Sequence, residues 1–196
     1  MNMSQFLFDL SALWISTGAV AVAEIGDKTQ LLALLLAARF QKPWPIVFGI
    51  VLATVLNHAL AAWLGQWLSA WLTPEILRWV VAASFIAIAL WTLKPDTLEE
   101  DTKLPARGAF IATTIAFFLA EIGDKTQVAT VLLGAKYDTL WQVVTGTTLG
   151  MLLANVPVVL LGSHFAQRLP LKAARFTAAL LFLGLGLWVA LRGVSS

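Results

Sequence analysis

Ala23-Glu24-Ile25-Gly26-Asp27-Lys28-Thr29-Gln30 sets two acids and a lysine between the apolar runs Phe6–Ala23 and Leu31–Ala38. It recurs without change, 97 residues later, as Ala120-Glu121-Ile122-Gly123-Asp124-Lys125-Thr126-Gln127. The same offset matches Ala38-Arg39-Phe40 with Ala135-Lys136-Tyr137, Gly49 with Gly146, and Gly65 with Gly162. It also matches Arg78, Phe85 and Trp91 with Arg175, Phe182 and Trp188. Self-similarity at a fixed offset marks a duplicated architecture, so the chain reads as two copies of one unit.

Composition sets the solvent. Of 196 residues, 59% are hydrophobic and 12% charged, against about a quarter charged in a soluble domain. A chain this apolar fills its own core and still coats its outside with Leu, Ala and Val, so the lipid bilayer is its surroundings. That excludes an ordinary soluble globule, a disordered chain and a nucleic-acid binder. There is no cysteine, which removes disulfides, thiolate metal sites, iron–sulfur clusters and Cys nucleophiles. The net charge of +2 decides little; in a membrane protein the placement of basic residues matters.

A span needs roughly 20 apolar residues. The short runs Leu31–Ala38 and Val128–Ala135 are too brief, and each continues the run before it across a charged interruption. Merging them predicts segments at about 6–38, 44–70, 76–93, 109–136, 140–166 and 172–192. The expected fold is an all-α integral membrane protein with six transmembrane helices. Residues 1–93 form the first three-helix repeat, 94–108 a polar loop, and 109–196 the second three-helix repeat. Three spans is an odd number, so the second copy enters the membrane from the opposite face. Inverted repeats of this kind build secondary transporters, with the substrate near mid-membrane at the repeat interface.

Met1–Leu10 lacks Lys and Arg, so the first segment is expected to stay as a span rather than be cleaved. Arg39, Lys42, Lys94, Lys103, Arg107, Arg168, Lys172 and Arg175 fall on the side of the 94–108 loop, against Arg78, Lys136 and Arg192 on the side of the termini. Basic loops resist translocation, which predicts a cytoplasmic 94–108 loop and both termini outside. A fully helical 6–38 segment would be roughly 50 Å long, well over the ~30 Å hydrocarbon core. Gly26 and Gly123 are the expected places for a bend or a short unwound stretch.

The charged octapeptides carry the chemistry. Asp or Lys near a helix centre costs about 2.5–3.5 kcal/mol on insertion, so such residues turn inward and pair, or line a water-filled path. Glu24, Asp27 and Lys28 lie at i, i+3 and i+4 and share a helix face, as do Glu121, Asp124 and Lys125. Together the four carboxylates and two lysines sum to −2, the balance of one divalent cation. The anionic ligands are hard oxygens, with Thr29, Thr126, Gln30 and Gln127 as neutral ones. Such a site suits Ca²⁺, Mn²⁺ or Mg²⁺ and disfavours Cu(I) and structural Zn²⁺. The second spans add Asn57, His58 and, in the aligned region, Asn155; an imidazole or amide leans the choice toward Mn²⁺ over Ca²⁺. Proton and metal competing for Glu24 and Glu121 suffices for antiport. No Walker-type loop is present, so an H⁺ or Na⁺ gradient is the expected energy source.

Two copies of E-x-G-D-K-[TS], each in the first span of a three-helix unit, resemble the GDT family of membrane cation transporters. That family includes bacterial manganese exporters and Golgi calcium/manganese:proton antiporters, and the resemblance covers essentially the whole chain. It implies divalent cation transport with the motif acids Glu24, Asp27, Glu121 and Asp124 as metal ligands. Gly26, Lys28, Thr29, Gln30, Gly123, Lys125, Thr126 and Gln127 complete the motifs. The short termini resemble the bacterial branch, which implies Mn²⁺ export from the cytoplasm across the plasma (bacterial inner) membrane. The cation is cargo, and no resident cofactor or enzymatic activity is expected.

A passive divalent cation channel using the same acids is the alternative. An intramembrane aspartyl protease fits poorly, because the Gly-x-Gly-Asp pattern needs Gly where Glu24 stands. A scaffold role leaves the doubled acids unexplained. Pairing of Asp27 with Lys28 or Lys125 as the whole role leaves Glu24 and Glu121 without partners. His58 reads equally as a packed interior histidine, and His164 as interfacial. Trp44, Trp63, Trp67, Trp71, Trp141 and Trp188 read as headgroup-belt residues. Gly184, Gly186, Ala87 and Ala89 read as close-packing positions, Pro157 as a kink or the source of a free carbonyl, and Glu99–Asp101 as a solvated run. The metal's identity and a homo-oligomeric state are left open.

Overall fold

The computed structural model describes residues 3–95, 108–162 and 170–193, with side chains from residue 10 onward. Among them the chain is all-helical: α1 (Met3–Glu24), α2 (Lys28–Phe40), α3 (Pro43–Ser69), α4 (Pro74–Thr92), α5 (Ala109–Glu121), α6 (Lys125–Lys136), α7 (Leu140–Leu161) and α8 (Leu171–Arg192). Proline opens α3 and α4, where its missing N–H leaves no bond unmade. Helices α3, α4, α7 and α8 are long and apolar enough to cross a membrane, while Leu10–Glu24 and α5 are shorter apolar helices. Trp44, Trp63, Trp67, Trp71 and Trp141 face outward, as belt residues do. Trp188 is exposed as well, and the Lys136 ammonium sits 4.3 Å from its ring centroid. The polar run Glu99–Asp101 and His164 lie outside the described residues. Pro157 lies inside α7.

The two segments taken as single runs, 6–38 and 109–136, are each two helices. The local sequence dictates the break. Gly26 and Gly123 take φ of +81° and +73°, a region costing other residues roughly 1–2 kcal/mol. Asp27 and Asp124 then start the next helix, their side chains accepting from the backbone N–H of Thr29 at 3.4 Å and Thr126 at 3.2 Å. Gln30 and Gln127 accept the glycine N–H groups through Oε1, at 2.9 and 2.7 Å. Glycine turns the chain, aspartate caps the new helix, and glutamine satisfies the donor that the turn exposes.

The halves interleave. Helix α1 packs on α7 and its counterpart α5 on α3; α2 packs on α7 and α6 on α3. Helices α4 and α8 pack on each other, with Phe85 stacked on Phe182 at 6.2 Å between ring centroids. The exchange is incomplete, since α4 also packs on α6 whereas α8 packs on α1.

Glycine sets the closest crossings. A Cβ on Gly49 would lie 2.9 Å from the Phe110 carbonyl oxygen, and one on Gly146 would lie 2.5 Å from that of Leu13. Leu13 and Phe110 are themselves 97 residues apart, so one helix crossing is made twice. Gly186 behaves as expected of a packing glycine, its Cβ position 3.0 Å from the Ala82 oxygen, and Ala89 is buried. Gly184 and Ala87 do not: both are exposed, and a Cβ on Gly184 meets nothing within 4 Å. The apolar pattern of α4 and α8 marks them as candidate spans but does not fix how each is rotated. Gly49→Ala and Gly146→Ala are expected to destabilise by about 1–3 kcal/mol each, because a carbonyl cannot rotate away from the new methyl. Gly184→Ala is expected to leave stability unchanged or slightly raised; thermal unfolding of the detergent-purified protein checks all three.

Candidate functional site

The two breaks bring four helix ends together. Glu24 closes α1 and Glu121 closes α5, while Asp27-Lys28-Thr29 and Asp124-Lys125-Thr126 open α2 and α6. All four acids are buried, as is Lys125. One carboxylate oxygen from each of Glu24, Glu121 and Asp124 lies within 4.8 Å of the others. Residues nearly a hundred positions apart therefore share one small volume.

The ion pairs cross between the halves. Lys28 Nζ lies 3.1 Å from Asp124 Oδ1, and Lys125 Nζ bonds Asp27 Oδ1. Each lysine thus meets the aspartate of the other copy rather than its sequence neighbour. These pairs balance both aspartates and leave Glu24 and Glu121 as the acids without a lysine of their own. Thr29 Oγ1 donates to Glu24 Oε2 at 2.5 Å, and Thr126 Oγ1 to Glu121 Oε2 at 3.1 Å. The other oxygen of each glutamate, Oε1, has no hydrogen-bond partner among the described residues.

The long helices complete the walls. Asn155 of α7 places Nδ2 3.4 Å from Glu24 Oε2, while its Oδ1 has no partner among the described residues. His58 of α3 places Nε2 4.0 Å from Glu121 Oε2. Three residues expected as neutral ligands are used otherwise. Gln127 Nε2 donates to Asn57 Oδ1 at 2.5 Å, and Asn57 Nδ2 to the Phe118 carbonyl at 3.2 Å. Gln30 Nε2 donates to the Ala154 carbonyl at 3.0 Å. Gln30, Gln127 and Asn57 therefore tie each break to the long helix of the other half. Thr29 and Thr126 hold the glutamates. Met151 was not expected here: its Sδ lies 2.9 Å from Asn155 Nδ2, a place that a buried methionine in an apolar run does not announce.

The breaks differ in their cover. A cavity of about 120 Å³ beside the first is lined by residues including Gly26, Gln30, Leu171 and Arg175. A Cβ on Gly26 would come within 2.9 Å of Leu171, whereas one on Gly123 would meet nothing within 4 Å.

A family described as "Divalent cation/proton antiporter GDT1" matches this chain over residues 12–100 and again over 109–196. The chain belongs to the GDT1 family. Each GDT1 match contains one of the octapeptides. A Vibrio cholerae protein named "Putative manganese exporter" is 57% identical over 175 residues, covering 89% of this chain and 88% of its own. A GDT1-like protein of Synechocystis is 29% identical over 188 residues, covering 83% and 88%. GDT1-like protein 4 of rice (Oryza sativa subsp. indica) is 27% identical over 209 residues, covering 92% and 73%. No solved structure matches the chain.

Removing one member of a buried ion pair costs about 3–5 kcal/mol. Lys125→Met is therefore expected to lower the melting temperature sharply, and Asp27→Asn in the same chain to restore much of it. Lys28→Met is expected to gain no such rescue from Asp27→Asn; a double-mutant cycle on the purified protein checks the crossing.

Proposed function

We propose that this GDT1-family chain is a secondary transporter that exports divalent cations, Mn²⁺ foremost and Ca²⁺ also, from the cytoplasm in exchange for protons. Glu24, Glu121 and Asp124 are its ligands, with Asp27 as the fourth acid, held by Lys125. The observation that carries this reading is the meeting of three carboxylates from both halves within 4.8 Å. Charge supports it: with both aspartates matched by lysine, the two glutamates equal one divalent cation. The family's description names a divalent cation/proton antiporter, and manganese is the metal in the Vibrio relative's name.

In this reading α1–α2 and α5–α6 each act as one broken span, giving three spans per half in an inverted repeat. The exchange of helix contacts between the halves supports that arrangement. Broken spans at mid-membrane, with irregular backbone lining the site, are how transporters hold ions in a bilayer. The charge rule places the 94–108 loop in the cytoplasm and both termini outside. Each glutamate has one oxygen held by its threonine and one without a hydrogen-bond partner among the described residues. A proton and a cation compete for that second oxygen, so loading one expels the other.

The test uses inside-out vesicles with an acidic lumen, whose outer surface is the cytoplasmic face. Added Mn²⁺ is expected to accumulate and to alkalinise the lumen. Acidifying the outer medium is expected to slow uptake, because protons there occupy the same oxygens. Glu24→Gln and Glu121→Gln are each expected to lose at least about a hundredfold in rate, since the cation's charge is then unbalanced by about 3–5 kcal/mol. Downhill Mn²⁺ flux without proton movement would instead identify a channel, and a requirement for luminal Na⁺ would replace the coupling ion.

A further inference from the structure

We infer that His58 supplies a nitrogen ligand to the transported cation, and that this donor makes the site prefer transition-metal divalent ions over Ca²⁺ and Mg²⁺. The inference rests on the transport reading above and adds to it the chemical class of the cargo.

The duplication exposes the feature. His58 and Asn155 occupy the same place in the two halves, 97 residues apart. Asn155 stands beside Glu24 at 3.4 Å and His58 beside Glu121 at 4.0 Å. The two glutamates are thus matched in everything the octapeptide provides, and differ in the donor each long helix offers.

A packed interior histidine would be hydrogen-bonded, as buried polar groups are. His58 is 0% exposed, and neither ring nitrogen has a hydrogen-bond partner among the described residues. Leaving such a group unsatisfied costs about 1–3 kcal/mol. Its neighbour Asn57 bonds Gln127 and the Phe118 carbonyl and makes no bond to it. The nitrogen does face Glu121, at a distance too long for a hydrogen bond. That separation suits two ligands of one ion: metal bonds of about 2.0–2.6 Å place ligand atoms up to about 4–5 Å apart. The three carboxylates are spaced on the same scale. One ion between them would take His58 Nε2 together with a carboxylate oxygen from each of Glu24, Glu121 and Asp124.

The donor decides the class. Ca²⁺ and Mg²⁺ take oxygen ligands, whereas imidazole nitrogen suits the first-row transition metals. Without His58 the site would consist of carboxylates and an amide, which distinguish Mn²⁺ from Ca²⁺ weakly.

The full chain, purified in detergent and loaded with Mn²⁺, is examined by pulsed electron paramagnetic resonance for ¹⁴N modulation. Wild type is expected to show imidazole modulation, retained in His164→Gln, which removes the chain's other histidine. His58→Asn, which installs the residue found at the equivalent place in the other half, is expected to bind Mn²⁺ without modulation. In vesicles the same variant is expected to keep Ca²⁺ flux while its preference for Mn²⁺ over Ca²⁺ falls by about tenfold or more. Mn²⁺ bound by wild type without nitrogen coupling overturns the inference and leaves the transport reading standing. So does an unchanged Mn²⁺/Ca²⁺ preference in His58→Asn. Should that variant fail to fold, the wild-type spectrum alone decides. A wild type that binds no Mn²⁺ overturns both readings.

Discussion

Four carboxylates and Lys125 are buried in an apolar interior, with the half-buried Lys28 beside them, and the fold is arranged around making that tolerable. The crossed pairs Lys28–Asp124 and Lys125–Asp27 are the central device. A buried charge without a partner is among the most costly features a protein can carry, so these pairs fix the separation of the two breaks. The close glycine crossings of α3 with α5 and α7 with α1 seat the two helices that end in Glu121 and Glu24.

The octapeptide earns its exact repetition because its residues work in two places at once. Each aspartate caps its own helix and receives a lysine from the other half. Each glutamine accepts its own glycine's N–H and reaches across to the opposing long helix, at the Ala154 carbonyl or at Asn57. Each threonine donates to a glutamate five residues earlier, a contact that exists because the intervening turn folds the chain back. Changing an aspartate or a glutamine disturbs both a local bond and a contact with the other half. Ile25 and Ile122 make none of these bonds.

Much of this was legible from residues alone. The offset revealed the duplication, the length of 6–38 required a break, and the glycines located it. The burial of the acids followed from the cost of charge in an apolar run. What remained hidden depends on rotation and on distance across the fold. Asp27 stands next to Lys28 in the chain, so a local pair and a pair with Lys125 were equally open until the halves were seen together. Gln30 and Gln127 read as spare oxygens, since nothing in their spacing reveals that the turn's own N–H takes the side chain first. Gly184 and Gly186 sit two residues apart, and periodicity could not say which faced the neighbouring helix. Met151 carried no signal, because methionine in a span is ordinary filler.

The lysine crossing makes each half depend on the other. One octapeptide alone supplies one aspartate, one glutamate and one lysine, and its lysine bonds the aspartate of the other copy. Alone it would strand those groups in lipid; two such pieces, facing one another, would neutralise each other. Neither half is therefore electrically complete without the other. Being joined in one chain, the halves are free to differ, and positions 58 and 155 do, with an imidazole in one and an amide in the other.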